Sequence, residues 1–204
     1  MKRFLALGFA LAAALPSLAA SPDDAAGTTI PAETPLDTAP LEWRGCRLQP
    51  GADCPGADLR HAPLKNIDLH GARLRGAKLA RADLRHANLQ GADLREAELD
   101  AADLSLAFLQ GARLDGARLR GANLAFARLS GASLSGADLS AASLEMAWAN
   151  KVNLQGARLN NANLQETKLS HANLREAELD GALLRYTILQ DTVMDGCHGC
   201  PHDW

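Results

Sequence analysis

Aromatic residues are scarce in this chain: one Tyr, four Phe and three Trp, 4% of 204 residues. A core assembled around large aromatic anchors is therefore excluded, because there are too few rings to fill one. Charge of one sign is not in excess either, with 21 Lys and Arg against 24 Asp and Glu and a net charge of -3. That balance argues against a strongly basic nucleic-acid binder and against a polyacidic tail. No apolar run reaches the ~20 residues that a membrane-spanning helix needs. What remains is a hydrophobic fraction of 47%, supplied almost wholly by Ala and Leu. With so plain an apolar alphabet, the arrangement of residues has to carry the information.

The N-terminus reads MKRFLALGFALAAALPSLAA. Lys2 and Arg3 precede an apolar stretch of 12 residues from Phe4 to Leu15, followed by Pro16 and small residues. This is the pattern of a secretory signal peptide over residues 1–20, cleaved after Ala19 or Ala20. No cysteine follows the cleavage site, so a lipid anchor is not expected. Removing Lys2 and Arg3 leaves 19 basic against 24 acidic residues, a net charge of -5. The protein is expected to be exported, periplasmic or secreted, with no membrane insertion after signal cleavage. Residues 21–42 show no apolar periodicity; Pro22, Pro31, Pro35 and Pro40 alternate with Asp23, Asp24, Glu33 and Asp37. That composition predicts a flexible, extended leader. Residues 43–56 are then placed to form an N-terminal cap on the remainder of the chain.

From Ala57 to Gly196 the chain repeats every five residues: ADLRH APLKN IDLHG ARLRG and onward. Leu59 begins a series of 28 central positions ending at Met194; Leu holds 26 of them, with Ala149 and Met194 as exceptions. Two residues earlier, Ala holds 23 of 28 positions, the others being Ile67, Val152, Thr167, Thr187 and Thr192. A helix cannot use this pattern, because leucines five apart advance by about 140° and face every direction. A flat strand cannot use it, because an odd period swaps faces at each repeat. The workable order is Ala inward, polar outward, Leu inward, then two outward residues that turn a corner. Gly fills the second corner position in 11 of 28 repeats, where a tight turn tolerates it best. Four corners close a circuit of 20 residues, so 28 repeats give about seven coils. At ~4.8 Å between hydrogen-bonded neighbours the column is about 34 Å tall.

These residues resemble the pentapeptide-repeat family, whose consensus is A(D/N)Lxx. The resemblance implies an all-β fold, a right-handed quadrilateral parallel β-helix. Known members include gyrase-binding DNA mimics that confer quinolone resistance, while many others have no assigned activity, so family and function are separate questions. A DNA mimic needs extended negative potential. Here the acidic residues are matched by Arg and Lys on the same face, and the signal peptide directs the chain away from cytosolic gyrase.

Residues 20 apart should stack, so the outer faces can be read as columns. One column holds Asp58, Lys78, Glu98, Arg118, Asp138, Arg158 and Glu178 in strict sign alternation. Such a ladder opposes slippage by one coil, which would bring like charges together. Another corner carries Leu106, Phe126 and Met146 in successive coils, with Phe108, Arg128 and Trp148 beside it on the adjoining face. Tyr186 and Ile188 continue this line beyond an interruption at Glu166 and Lys168. A contiguous apolar ridge with aromatics at its centre is the mark of a contact site. The expected occupant is a protein partner, a second copy of the chain, or the leader itself. The last coil is also apolar outside, at Leu183, Tyr186, Ile188 and Val193, so its end is expected to be covered by the tail or by a dimer contact.

Four cysteines in an exported chain suggest two disulfides. The ends of the column are too far apart for cross-pairing, since a disulfide needs Cα atoms within ~7 Å. Cys46 is therefore expected to pair with Cys54 and Cys197 with Cys200. The tail at residues 197–204 contains CHGCPHD, in which Cys197, Cys200, His198 and His202 form an alternative metal or thiol-active site when reduced. The remaining histidines, His61, His70, His86 and His171, are scattered. Asp83 and Asp103 stack as a carboxylate pair, but such pairs arise automatically where Asp recurs at one repeat position. The sequence thus predicts a non-enzymatic binding or scaffold protein with no cofactor and no nucleic-acid partner.

Overall fold

The computed structural model describes residues 41–201, so the signal peptide and nearly all of the leader lie outside the described residues. The described chain opens with a hairpin of β1 (Leu41–Trp43) and β2 (Cys46–Leu48), antiparallel with Leu41 opposite Leu48 and Trp43 opposite Cys46. Its two turn residues, Arg44 and Gly45, both have positive φ (46° and 80°), as the twist of a two-residue hairpin requires. Leu41 and Glu42, assigned to the leader from sequence, are thus the first residues of β1. Leu48 is buried, and Trp43 packs against the core.

Beyond the hairpin every pentad contributes one outward residue that bridges, in parallel, to the residue 20 positions on. The bridges fall into four columns. They begin at Asp53, Asp58, Pro63 and Asp68 and run up to Val193, His198, Leu183 and Ile188 respectively. The chain is therefore a four-sided coil. Two hydrogen bonds serve nearly every bridge, as in Leu59 N–H to the Lys78 carbonyl (2.8 Å) and Lys78 N–H to the Ala57 carbonyl (2.9 Å). The coil overruns the sequence boundaries of 57–196 at both ends. Asp53 already bridges Arg73, and His198 still bridges Glu178.

Corners follow one recipe. The Ala62 N–H donates to the Leu59 carbonyl at 3.1 Å, closing a four-residue turn over Arg60 and His61. All 28 second corner residues have positive φ, 17 of them non-glycine. That is the third position of a type II turn, where glycine fits best. Inside, the stacked Leu and Ala side chains are almost wholly shielded from water; each buried Leu contributes roughly 1.5–3 kcal/mol. Where Thr replaces Ala, its hydroxyl finds a carbonyl one coil below: Thr167 to Leu144 (2.7 Å), Thr187 to Leu164 (2.7 Å) and Thr192 to Leu169 (2.9 Å). These donors, buried at Thr167 and Thr187 and half-buried at Thr192, are satisfied, so Thr substitutes for Ala without an orphaned polar group.

Candidate functional site

The ridge stands where the sequence places it. Leu106, Phe126 and Met146 occupy the second position of one corner in three successive coils, with φ of 62°, 59° and 55°. All three are exposed, Phe126 to 46%. On the next face Phe108, Arg128, Trp148, Lys168 and Ile188 form one bridged column. Phe108 is half-buried, while Trp148 is 50% exposed.

Two features of this site were not read from the sequence. The Arg128 guanidinium lies over the Phe108 ring, 5.1 Å from its centroid, and the Lys168 ammonium lies over the Trp148 ring at 3.7 Å. Lys168 therefore does not interrupt the aromatic line; it caps the ring one coil below through a cation–π contact. Arg185 makes a similar contact with Tyr186, at 4.7 Å.

The second feature is a distribution of glycine. The 11 corner glycines are spread over three corners, and the fourth, built from Asn66, His86, Leu106, Phe126, Met146, Glu166 and Tyr186, has none. Leu and Phe in the left-handed region cost about 1 kcal/mol or more each. Sorting the glycines by corner would have exposed this at the sequence level, since the 20-residue circuit was already known there.

The charged column is organised differently from the expected ladder. Of its sign-alternating neighbours, the closed ion pair is Arg158 with Glu178 (3.6 Å). Arg118 instead reaches Asp100, at 2.7 Å, and shares it with Arg120 (3.0 Å). Asp58 is held by Arg60 (2.8 Å) and by Arg44 of the hairpin turn. A second device is a carboxylate gripped by the Arg two residues later, as in Asp58–Arg60, Asp83–Arg85 and Asp93–Arg95. That spacing puts both side chains on one face of the same coil, so these contacts anchor Asp locally and specify register less than the alternating column suggests.

The Arg partner holds the carboxyls of Asp58, Asp83 and Asp93 below the ordinary carboxylate range. A pKa lower in the folded than in the unfolded chain adds stability above the unfolded value, about 3.9. That stability is lost as pH falls below it toward the folded pKa. The melting temperature is therefore expected to be flat from neutrality to about pH 4.5 and to drop below about pH 4. A scan of the Asp83→Asn, Asp93→Asn variant should show a shallower acid limb than the parent.

Asp83 and Asp103 do stack as bridge neighbours, but Arg85 bonds Asp83 at 2.7 Å and approaches Asp103 at 3.9 Å. A carboxylate neutralised by a fixed guanidinium is not placed to share a proton with its neighbour. His61, His86 and His171 occupy three different corners, and His70 bonds Asp68 (3.0 Å), so the structure does not bring the histidines together. Among the described residues there is no pocket and no group of three or more His, Cys, Asp or Glu arranged to hold a metal ion.

The cysteines lie in the two pairs selected from the sequence. Cys46 and Cys54 have Cα atoms 5.9 Å apart and Cys197 and Cys200 5.8 Å apart, each pair at disulfide distance. The first links β2 to the opening pentad of the coil. At the other end Cys200 is buried over the last coil, and Gly199 passes so close that an added Cβ would lie 2.7 Å from the Leu179 carbonyl carbon. His202 lies outside the described residues.

The model of pentapeptide repeats matches this chain in eight copies, over residues 50–76, 77–116, 117–156, 150–186 and 162–198. The chain belongs to the pentapeptide-repeat family. Known structures of pentapeptide-repeat proteins are right-handed quadrilateral β-helices. One similar solved structure is HetL of Nostoc sp. strain PCC 7120, involved in heterocyst differentiation regulation; it is 33% identical over 72% of this chain and 83% of that one, with a TM-score of 0.34. Rfr23 of the cyanobacterium Cyanothece 51142 is 27% identical over 72% of this chain and 90% of its own, at a TM-score of 0.23. QnrB1, a plasmid-mediated fluoroquinolone resistance protein, is 22% identical over 70% of this chain and 79% of its own, at 0.49. No curated protein matches the chain.

Proposed function

We propose that this pentapeptide-repeat protein is an exported, non-enzymatic binding protein. Its column of seven four-sided coils presents Leu106, Phe108, Phe126, Arg128, Met146 and Trp148 to a protein partner or to a second copy. The observation that carries this reading is the glycine-free corner. Three bulky apolar residues hold a backbone conformation that favours glycine, and they do so facing water. Neither strain nor exposure of apolar surface helps the fold, so a gain outside the folded chain is the simplest reason for both. The rest of the molecule serves as a rigid support. On this reading both cysteine pairs are oxidised in the exported protein and the CHGC segment is a structural clip on the last coil.

The direct test is affinity capture from the native envelope fraction, comparing the mature protein with Phe126→Glu. A partner, including an untagged copy of the chain, retained by the parent and lost with Phe126→Glu is the expected result. Identical captures would remove the ridge from consideration. Thiol counting and metal analysis on the same preparation should give no free thiol and no bound metal; stoichiometric metal would transfer the function to the tail.

A further inference from the structure

From one coil to the next, the face beside the ridge alternates in kind: Phe108, Arg128, Trp148, Lys168. Such an alternation is complementary to its own reverse. Consider a second copy lying side by side and running the opposite way, with a two-fold axis across the face midway between Arg128 and Trp148. Arg128 of each chain then stands opposite Trp148 of the other, and Phe108 opposite Lys168. Moving the axis by half a coil sets Trp148 against itself and Arg128 against Lys168. A parallel arrangement sets rings against rings and cations against cations. From this we infer that the protein forms an antiparallel, side-by-side homodimer through this face. The inference rests on the ridge being a contact surface and deepens that reading by naming what occupies it.

The surroundings of the column fit such a contact. From Asn88 to Ile188 the bridged column contains no carboxylate, and the outward column beside it is uncharged throughout: Gln90, Gln110, Ser130, Asn150, Ser170 and Gln190. On other faces most of the arginines are taken up by acids, as in Arg73–Asp53 and Arg95–Asp93. Here the cations are left to aromatic rings. In the dimer each would hold two, one from its own chain and one from the other, the arrangement by which aromatic cages bind cations. The same axis keeps each column facing itself, so Phe126 meets Met146 of the other copy and Ser130 meets Asn150. Every contact is made twice, as an isologous interface demands.

The mature protein should sediment as a dimer at micromolar concentration. Trp148→Ala deletes the ring from both halves and should weaken dimerisation by about 100-fold, while its far-ultraviolet spectrum and melting temperature stay near those of the parent. Register is tested by cysteine pairing. Ser130→Cys mixed with Asn150→Cys should give a disulfide-linked dimer under mild oxidation, whereas neither alone should cross-link. A monomeric parent, a Ser130→Cys protein that links to itself, or a mixture that does not link overturns the inference. A monomer that still retains a different envelope protein through Phe126 overturns the dimer and leaves the contact surface standing; loss of both outcomes overturns the two together.

Discussion

Leu154→Asp is expected to unfold the column around its coil, while Gln155→Asp, one residue further on, should leave it folded. Leu154 is buried in the stack and Gln155 is exposed at a corner. A carboxylate at position 154 would enter a stack built almost wholly of leucine and alanine side chains, with no cation in it to pair with. Burying an unpaired charge costs more than a domain of this size holds in reserve, so the coil opens rather than accommodate it. Because each coil touches only its neighbours, the loss should spread outward from residue 154. Circular dichroism and limited proteolysis would show a truncated or absent β signal for Leu154→Asp and a parent-like melt for Gln155→Asp. Similar melts for both would mean that the pentad register is wrong.

The second expectation separates strain from function. Replacing Leu106, Phe126 and Met146 together by Gly places the residue suited to positive φ at each corner. Relief of the left-handed backbone, about 1 kcal/mol per site, is offset by the entropy that glycine adds to the unfolded chain, ~0.5–1 kcal/mol. The triple variant should therefore melt within a few degrees of the parent or slightly above it, while association through the ridge falls by about 100-fold or more. Binding measured against the captured partner or against the dimer, alongside calorimetry, gives both numbers from one preparation. If the triple variant instead melts far below the parent, the three side chains stabilise the coil itself and are not held there at a cost to the fold.

The fold was legible because its rule is local and repeats without interruption. Leu59, Leu64 and their successors exclude helix and flat strand by arithmetic, and the two adjacent outward positions mark corners. Cys46 and Cys54 could be paired because distance along the column forbids the alternatives. Side-chain chemistry on the outer faces was less legible. Column position tells which residues are neighbours but not which neighbour a long side chain prefers, so Arg118 was assigned to Glu98 and Asp138 and in fact reaches Asp100. Lys168 was read by its charge as an interruption, whereas its stem carries the ammonium onto Trp148. The ends were blurred for another reason: Asp53 and His198 take their places in the columns through backbone bridges that require no particular side chain.

The 20-residue circuit has a consequence for how such a chain can change length. Loss or gain of one pentad leaves Leu and Ala pointing inward, so packing survives, yet everything beyond the change is turned by a quarter of a revolution. Such an event between positions 126 and 146 would carry Met146 and Trp148 to a different side of the column from Phe126 and Phe108. Gain or loss of four pentads restores the orientation and alters only height. Chain length therefore acts as a dial for the surface: single repeats redistribute which side chains share a face, and whole circuits extend a face already composed.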